Sequence, residues 1–192
     1  PTTDFGDWSG AGDASSIASS NLRMGALADT EYVSTRNAGA TGDDLTASDD
    51  EDGVTMAAGY NLGSSSSMTV VTTNLTGATG YLNAWVDWNG NGVLTDSGEQ
   101  IATNMLIASG TSASTQNINF TVPSGAIPGG RGARFRLTSV QNPTPLGAAG
   151  TGEVEDYLLN IYCPSITVTP TSLTTPVVGR SEEHTSELQS QR

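Results

Sequence analysis

Between Val54 and Tyr162, short apolar runs rich in β-branched and aromatic residues alternate with turn residues. The runs fall at 54–57, 67–73, 80–88, 100–107, 115–122, 133–140 and 154–162. Gly77, Gly90-Asn91-Gly92, Gly110, Pro123 and Pro143-Thr144-Pro145 punctuate them. Short strands at this spacing predict an all-β chain folded as an antiparallel β-sandwich, jelly-roll or immunoglobulin-like in type. No stretch between the runs carries the 3.6-residue period of an amphipathic helix, so βαβ units are not expected. Residues 1–53 have no sustained period. Small apolar anchors, Phe5, Trp8, Leu22 and Met24, sit in a Gly/Ser/Ala/Asp background, which predicts a long irregular acidic N-terminal arm to a sandwich over 54–162.

After Tyr162 the register changes. Residues 163–179 read as a linker and the first strand of a further module, and 163–173 resemble the opening of bacterial immunoglobulin-like repeats. Residues 180–192 are foreign to the rest in composition. Their first eleven, Arg180 to Ser190, resemble the conceptual translation of a sequencing-adapter oligonucleotide and are set aside. A chain that starts at Pro1 without an initiator methionine reads as a piece of a longer protein.

Charge narrows the partners. The chain has 192 residues, a formal net charge of −13 and no lysine, with a pI near 4.1. Nucleic acid is not an expected partner, nor is membrane insertion, since no long apolar run is present. The single cysteine, Cys163, cannot form an internal disulfide. With the tail set aside the body has no histidine, so Ser-His-Asp and Cys-His catalysis and His/Cys zinc sites are out of reach. Only carboxylates are left for acid–base work. Glu153 and Glu155 lie two apart on a predicted strand, about 7 Å apart at Cα, within the spacing of an inverting glycosidase pair. Acidic pairs on strands are common for other reasons, and no catalytic residues are assigned.

Calcium is the chemistry the spacing supports better. Asp87-Trp88-Asn89-Gly90-Asn91-Gly92 places oxygen side chains at alternate positions and glycine at the sixth, the front half of a DxDxDG loop. Val93 would offer its carbonyl, and Asp96 or Glu99 a closing carboxylate. The alternative is a plain turn built on Asn89-Gly90 and Asn91-Gly92. The run Asp49-Asp50-Glu51-Asp52, capped by Gly53, is a second candidate for Ca2+, or a solvated loop.

Gly152-Glu153-Val154-Glu155-Asp156-Tyr157 concentrates three carboxylates in four positions, which need a compensating cation or arginines. Arg134 and Arg136 share one face of the 133–140 run. If that strand pairs with 154–162, ion pairs among Arg134, Arg136, Glu153, Glu155 and Asp156 follow, with or without a metal.

Together these landmarks resemble the GEVED domain of bacterial secreted and cell-surface proteins. The matching stretches are Asp4-Phe5-Gly6-Asp7, Asp29-Thr30-Glu31, Asp49 to Val54, Ala84 to Asn89, Gly98-Glu99-Gln100-Ile101, Ala133-Arg134-Phe135-Arg136 and Gly152 to Tyr157, covering 4–162 in order. The resemblance implies a β-sandwich module of a multidomain extracellular protein, beside neighbouring domains of the same chain, with no activity of its own to carry over. Three functions are therefore weighed: a calcium-stabilised structural or adhesive module meeting a glycan or protein ligand at the cell surface, a carbohydrate-binding accessory module using Trp8, Tyr81, Trp85 and Trp88, and a carboxylate-only glycoside hydrolase.

Overall fold

The computed structural model describes residues 2–28, 30–42 and 51–164. Eleven strands are present among them: β1 (Thr3–Phe5), β2 (Ala14–Ile17), β3 (Leu22–Met24), β4 (Val54–Thr55), β5 (Tyr60–Asn61), β6 (Ser65–Asn74), β7 (Gly80–Val86), β8 (Gln100–Ile107), β9 (Thr111–Thr121), β10 (Gly129–Thr138) and β11 (Gly147–Tyr162). Among the described residues no helix is long and apolar enough to cross a membrane.

The strands form two sheets, as the alternation requires. One has the order β1-β2-β11-β10-β7-β8, with β5 also on β11; the other is built around β6, which pairs with β3, β4 and β9. Inward residues of each sheet meet in a common core: Met68, Val70 and Ile118 from the smaller sheet against Leu82, Ala84, Val86, Phe135, Leu137 and Leu159 from the larger. Edge-on aromatic contacts help to fill it, with Phe135 and Tyr157 at 5.8 Å and 83°.

Two features depart from the simplest expectation. The large sheet is mixed, because β2 and β5 run parallel to β11 at its two ends. The N-terminal arm, moreover, is not wholly irregular. It contributes β1 and β2 to the large sheet and β3 to the small one. Two- to four-residue strands are too short to show a period, and their pairing depends on long-range partners. Residues 165–192, which hold most of the expected module opening and the adapter-like tail, lie outside the described residues, as do Asp29, Asp49 and Asp50.

The arm creates a third layer. Trp8, Ala11 and Ala40 pack with Trp85 and Leu94 in a second small cluster on the outer face of the large sheet. A Cβ on Gly132 would lie 2.4 Å from the Trp8 ring, so the indole rests directly on the β10 backbone. Arg134 and Arg136 share this outer face and are fully buried under the arm.

Candidate functional site

Two sites follow from this layering: a set of buried carboxylates on β11, and the acidic loop between β7 and β8.

The β10–β11 register sets Arg134 opposite Asp156 and Arg136 opposite Val154. Arg134 grips Asp156 with two nearly parallel bonds, Nε to Oδ1 at 2.8 Å and Nη2 to Oδ2 at 2.7 Å. Both side chains are completely buried, where the forked geometry of arginine suits a carboxylate best. The Trp8 amide donates to Asp156 Oδ2 at 2.9 Å, and Arg134 Nη1 donates to the carbonyls of Gly12 and Pro145, each at 2.8 Å. One ion pair thus holds the arm, the 142–146 loop and two strands together.

Arg136 makes no salt bridge to the β11 acids. Its guanidinium donates instead to the carbonyls of Thr144, at 2.8 Å, and Ser15. Burial, and next the neighbouring Arg134 charge, bring its pKa down to about 10, with Asp4 and Asp156 opposing. It stays charged at neutral pH.

Glu153 and Glu155 point the other way, as period-2 alternation dictates, into the space between the sheets. There they meet backbone rather than arginine. The Met24 amide donates to Glu153 Oε2. The Gly53 amide donates to Glu155 Oε1 at 3.1 Å, and the Tyr157 hydroxyl to Oε2 at 2.9 Å. Burial first, then the Glu155 charge, push the Tyr157 phenol well above its usual range. On the strand edge, the Val154 amide donates to Asp4 Oδ2 at 2.6 Å. Glu153 and Glu155 are 1 % and 0 % exposed. Each carboxylate therefore stitches β11 to an element far away in sequence.

Gly152 opens the motif for a backbone reason. Its φ is +147°, and a Cβ there would lie 1.9 Å from the Leu137 carbonyl oxygen. No L side chain fits.

The β7–β8 loop folds on its own acids. Asp87, 2 % exposed, accepts from the amides of Asn91 (3.1 Å) and Gly92 (2.9 Å). Asn89 and Asn91 repeat the pattern, each accepting from the amide two residues on, at 3.0 Å from Asn91 and 2.8 Å from Val93. Both Asn side chains donate to Asp96 Oδ2 at 2.8 Å, and these bonds lower the Asp96 pKa. Gly92 has φ +78°, and a Cβ would approach the Gly10 carbonyl to 2.2 Å, so the loop is seated on the arm. Val93 places its side chain in solvent.

Glu99 stands out in this loop. It is 2 % exposed, yet neither carboxylate oxygen makes a hydrogen bond of good geometry. Burial above all, followed by the charges of Asp87 and Asp96, push its pKa up to about 7, and the amides of Asn89 and Asp96 offset this only in part. Its chain lines a cleft with Trp88, Asn89, Ser97 and Pro123. In this conformation no group of three or more His, Cys, Asp or Glu residues among those described is disposed to hold a metal ion.

The other acidic run is split. Asp52 accepts from the Ala26 amide at 3.0 and 3.2 Å, bracing the turn after β3; Glu51 is half-buried beside it. The aromatic residues weighed as a sugar platform are not presented as one: Trp8, Trp85 and Trp88 are 8 %, 3 % and 3 % exposed.

Both sites sit on an all-β sandwich, with Glu153 and Glu155 of the β11 set closed off from solvent. Residues 81–160, from β7 almost to the end of β11, match the family model of the GEVED domain. Over that stretch the chain is similar to the GEVED domain, a domain of bacterial secreted proteins. No curated protein matches the chain.

The signal that sequence reading missed was in the arm. Asp4, Trp8 and Ser15 complete the β11 and β10 network; Asp4 opens the Asp4-Phe5-Gly6-Asp7 stretch and Trp8 follows it.

Proposed function

We propose that this chain is a non-catalytic, calcium-stabilised structural or adhesive module of an extracellular, surface-anchored bacterial protein, with Ca2+ taken by the β7–β8 loop. The observation that carries the metal is Glu99, a buried carboxylate that makes no hydrogen bond of good geometry and has two further acids around it. Burying a carboxylate without a partner costs several kcal/mol, so proteins compensate such groups by a proton, an opposite charge or a metal. Among the described residues, no arginine forms a salt bridge to Glu99.

The donor set of Asp87, Asn89, Asn91, Asp96 and Glu99 is all oxygen, which suits a hard cation of flexible coordination rather than a soft one. Bound Ca2+ would supply charge neutralisation and loop order; Asp87 and Asn89 would turn remaining lone pairs to it while keeping their turn amides. Glu51 and Asp52, with Asp49 and Asp50, are a secondary candidate.

The test is calorimetric titration of the metal-free protein with CaCl2, for the wild type and Glu99→Gln. Saturable binding that the variant loses supports the reading. Equal heats in the two proteins, or none in either, would sink it.

A further inference from the structure

A second cleft lies elsewhere, over the edge strand β8. It has a volume of about 420 Å³, inside the roughly 300–1,000 Å³ range of small-molecule sites. It is lined by the end of the acidic loop, at Leu94 to Asp96, by the 142–145 segment and by Trp85.

The lining chemistry is selective. Gln100 and Asn142 bring amides, and Thr95, Thr103 and Thr144 bring hydroxyls. Trp85, Pro143 and Pro145 lie buried beneath these polar groups. The one charged group is Asp96, whose Oδ2 is already engaged by Asn89 and Asn91. Amides and hydroxyls donate and accept together. A matching ligand would offer several hydroxyls and no charge. Anions are disfavoured, because no cation lines the cleft of this −13 chain.

The cleft is also built on a rigid base. Behind it Asn83, fully buried, accepts from the Asn104 amide at 2.9 Å and from Gln100 Nε2 at 3.3 Å. Asn104 in turn accepts from the Asn142 amide at 2.8 Å, tying the 142–145 wall to β8. A satisfied amide network of this kind fixes its members in place, so binding groups are held before the ligand arrives.

We infer that this cleft binds a neutral pyranose sugar, with Gln100, Asn142 and Thr103 bonding its hydroxyls and the ring seated above the buried Trp85. The inference deepens the adhesive reading above and rests on it. It places sugar recognition at an edge cleft instead of on an exposed aromatic platform.

The experiment is a two-dimensional NMR titration of the whole chain with glucose, galactose, mannose, N-acetylglucosamine and their β-linked disaccharides, in calcium and again in chelator. For a ligand the size of one ring, a Kd on the order of a millimolar is expected. The perturbed resonances should be the Trp85 indole and the Gln100 and Asn142 side-chain amides. Thr103→Trp, which fills the cleft from its exposed rim, should weaken binding by about tenfold or more with the spectrum otherwise kept; Gln100→Ala is the second variant should that one misfold. No saturable shift at these residues with any sugar up to about 50 mM overturns the inference, as does undiminished binding by the variant. Sugar binding that is absent while calcium still titrates would refute this cleft and leave the metal reading standing; sugar binding equal in calcium and chelator would support the cleft whatever the metal does.

Discussion

Asp156 and Arg134 meet where neither has solvent to turn to, and each is also bonded to backbone from the arm. Removing one partner leaves a buried, uncompensated charge. Arg134→Ala should therefore cost about 3–5 kcal/mol, read by urea denaturation. Arg134→Lys should recover little of it, because an ammonium cannot make the paired bonds to Asp156 or reach Gly12 and Pro145 together. A cost below about 1 kcal/mol for Arg134→Ala would mean the pair is not what holds this face. Glu99 makes a prediction of the opposite sign. Its folded pKa, about 7, lies above the ordinary carboxylate value of 4.5. The native state thus holds the proton more tightly than the unfolded chain does. In chelator, stability should be greatest below about pH 4.5 as far as this group is concerned, and should fall as pH rises from there towards 7. Glu99→Gln should flatten that decline in a pH series of melts; a variant with an unchanged slope would assign it to other groups. At this scale the alternation of residues was legible and their partners were not. Period 2 already puts Asp156 on the face of β11 opposite to Glu153 and Glu155, so the three acids cannot share one set of arginines. That the two glutamates end on the amides of Met24 and Gly53 depends on how the sheets stack, which no local pattern encodes.

The strands β6 to β11 were readable as elements because each is long enough to alternate and is bounded by turn residues. The arm was not, and the reason is physical: β1, β2 and β3 span three, four and three residues and are held by the strands they reach. Its importance follows from what it covers. The β10 sequence Ala133-Arg134-Phe135-Arg136-Leu137 alternates like a strand with one wet face, yet both arginines are fully buried because the arm lies over them. Trp8 anchors that layer. Trp8→Ala should destabilise by about 3–5 kcal/mol through the cavity it leaves against Gly132 and Trp85. Hydrogen exchange should show the amides of β1 and β2 losing protection first, before the β6–β9 ladder. An arm that exchanges freely in the wild type would contradict its role as a layer. Gly152→Ala is the matching test on β11. With its Cβ forced against the Leu137 carbonyl, the variant should lose well over 2 kcal/mol or fail to fold, while Gly125→Ala, where a Cβ meets nothing within 4 Å, should be near neutral.

At the scale of the molecule, the large negative charge is handled by two different devices. On β11 the acids are buried and held by arginine, backbone amides and the Tyr157 hydroxyl. In the β7–β8 loop they are drawn together around a glutamate that makes no hydrogen bond of good geometry, and that contrast is why a cation is proposed for the loop and not for the motif on β11. The spacing Asp87, Asn89, Asn91 was legible as a candidate loop from the sequence. The burial of Glu99 was not, because it depends on tertiary structure that brings Pro123, Gly125 and Ala126 to the same cleft. The most direct measurement of the whole account is thermal unfolding of the chain in calcium and in chelator, near neutral pH. With Ca2+ at about a hundred times its Kd, linkage gives about 2.7 kcal/mol of added stability, which for a chain of this size corresponds to a rise in Tm of about 5–10 °C. The account predicts that rise in the wild type and its loss in Glu99→Gln. Superimposable melting curves with and without calcium would contradict it.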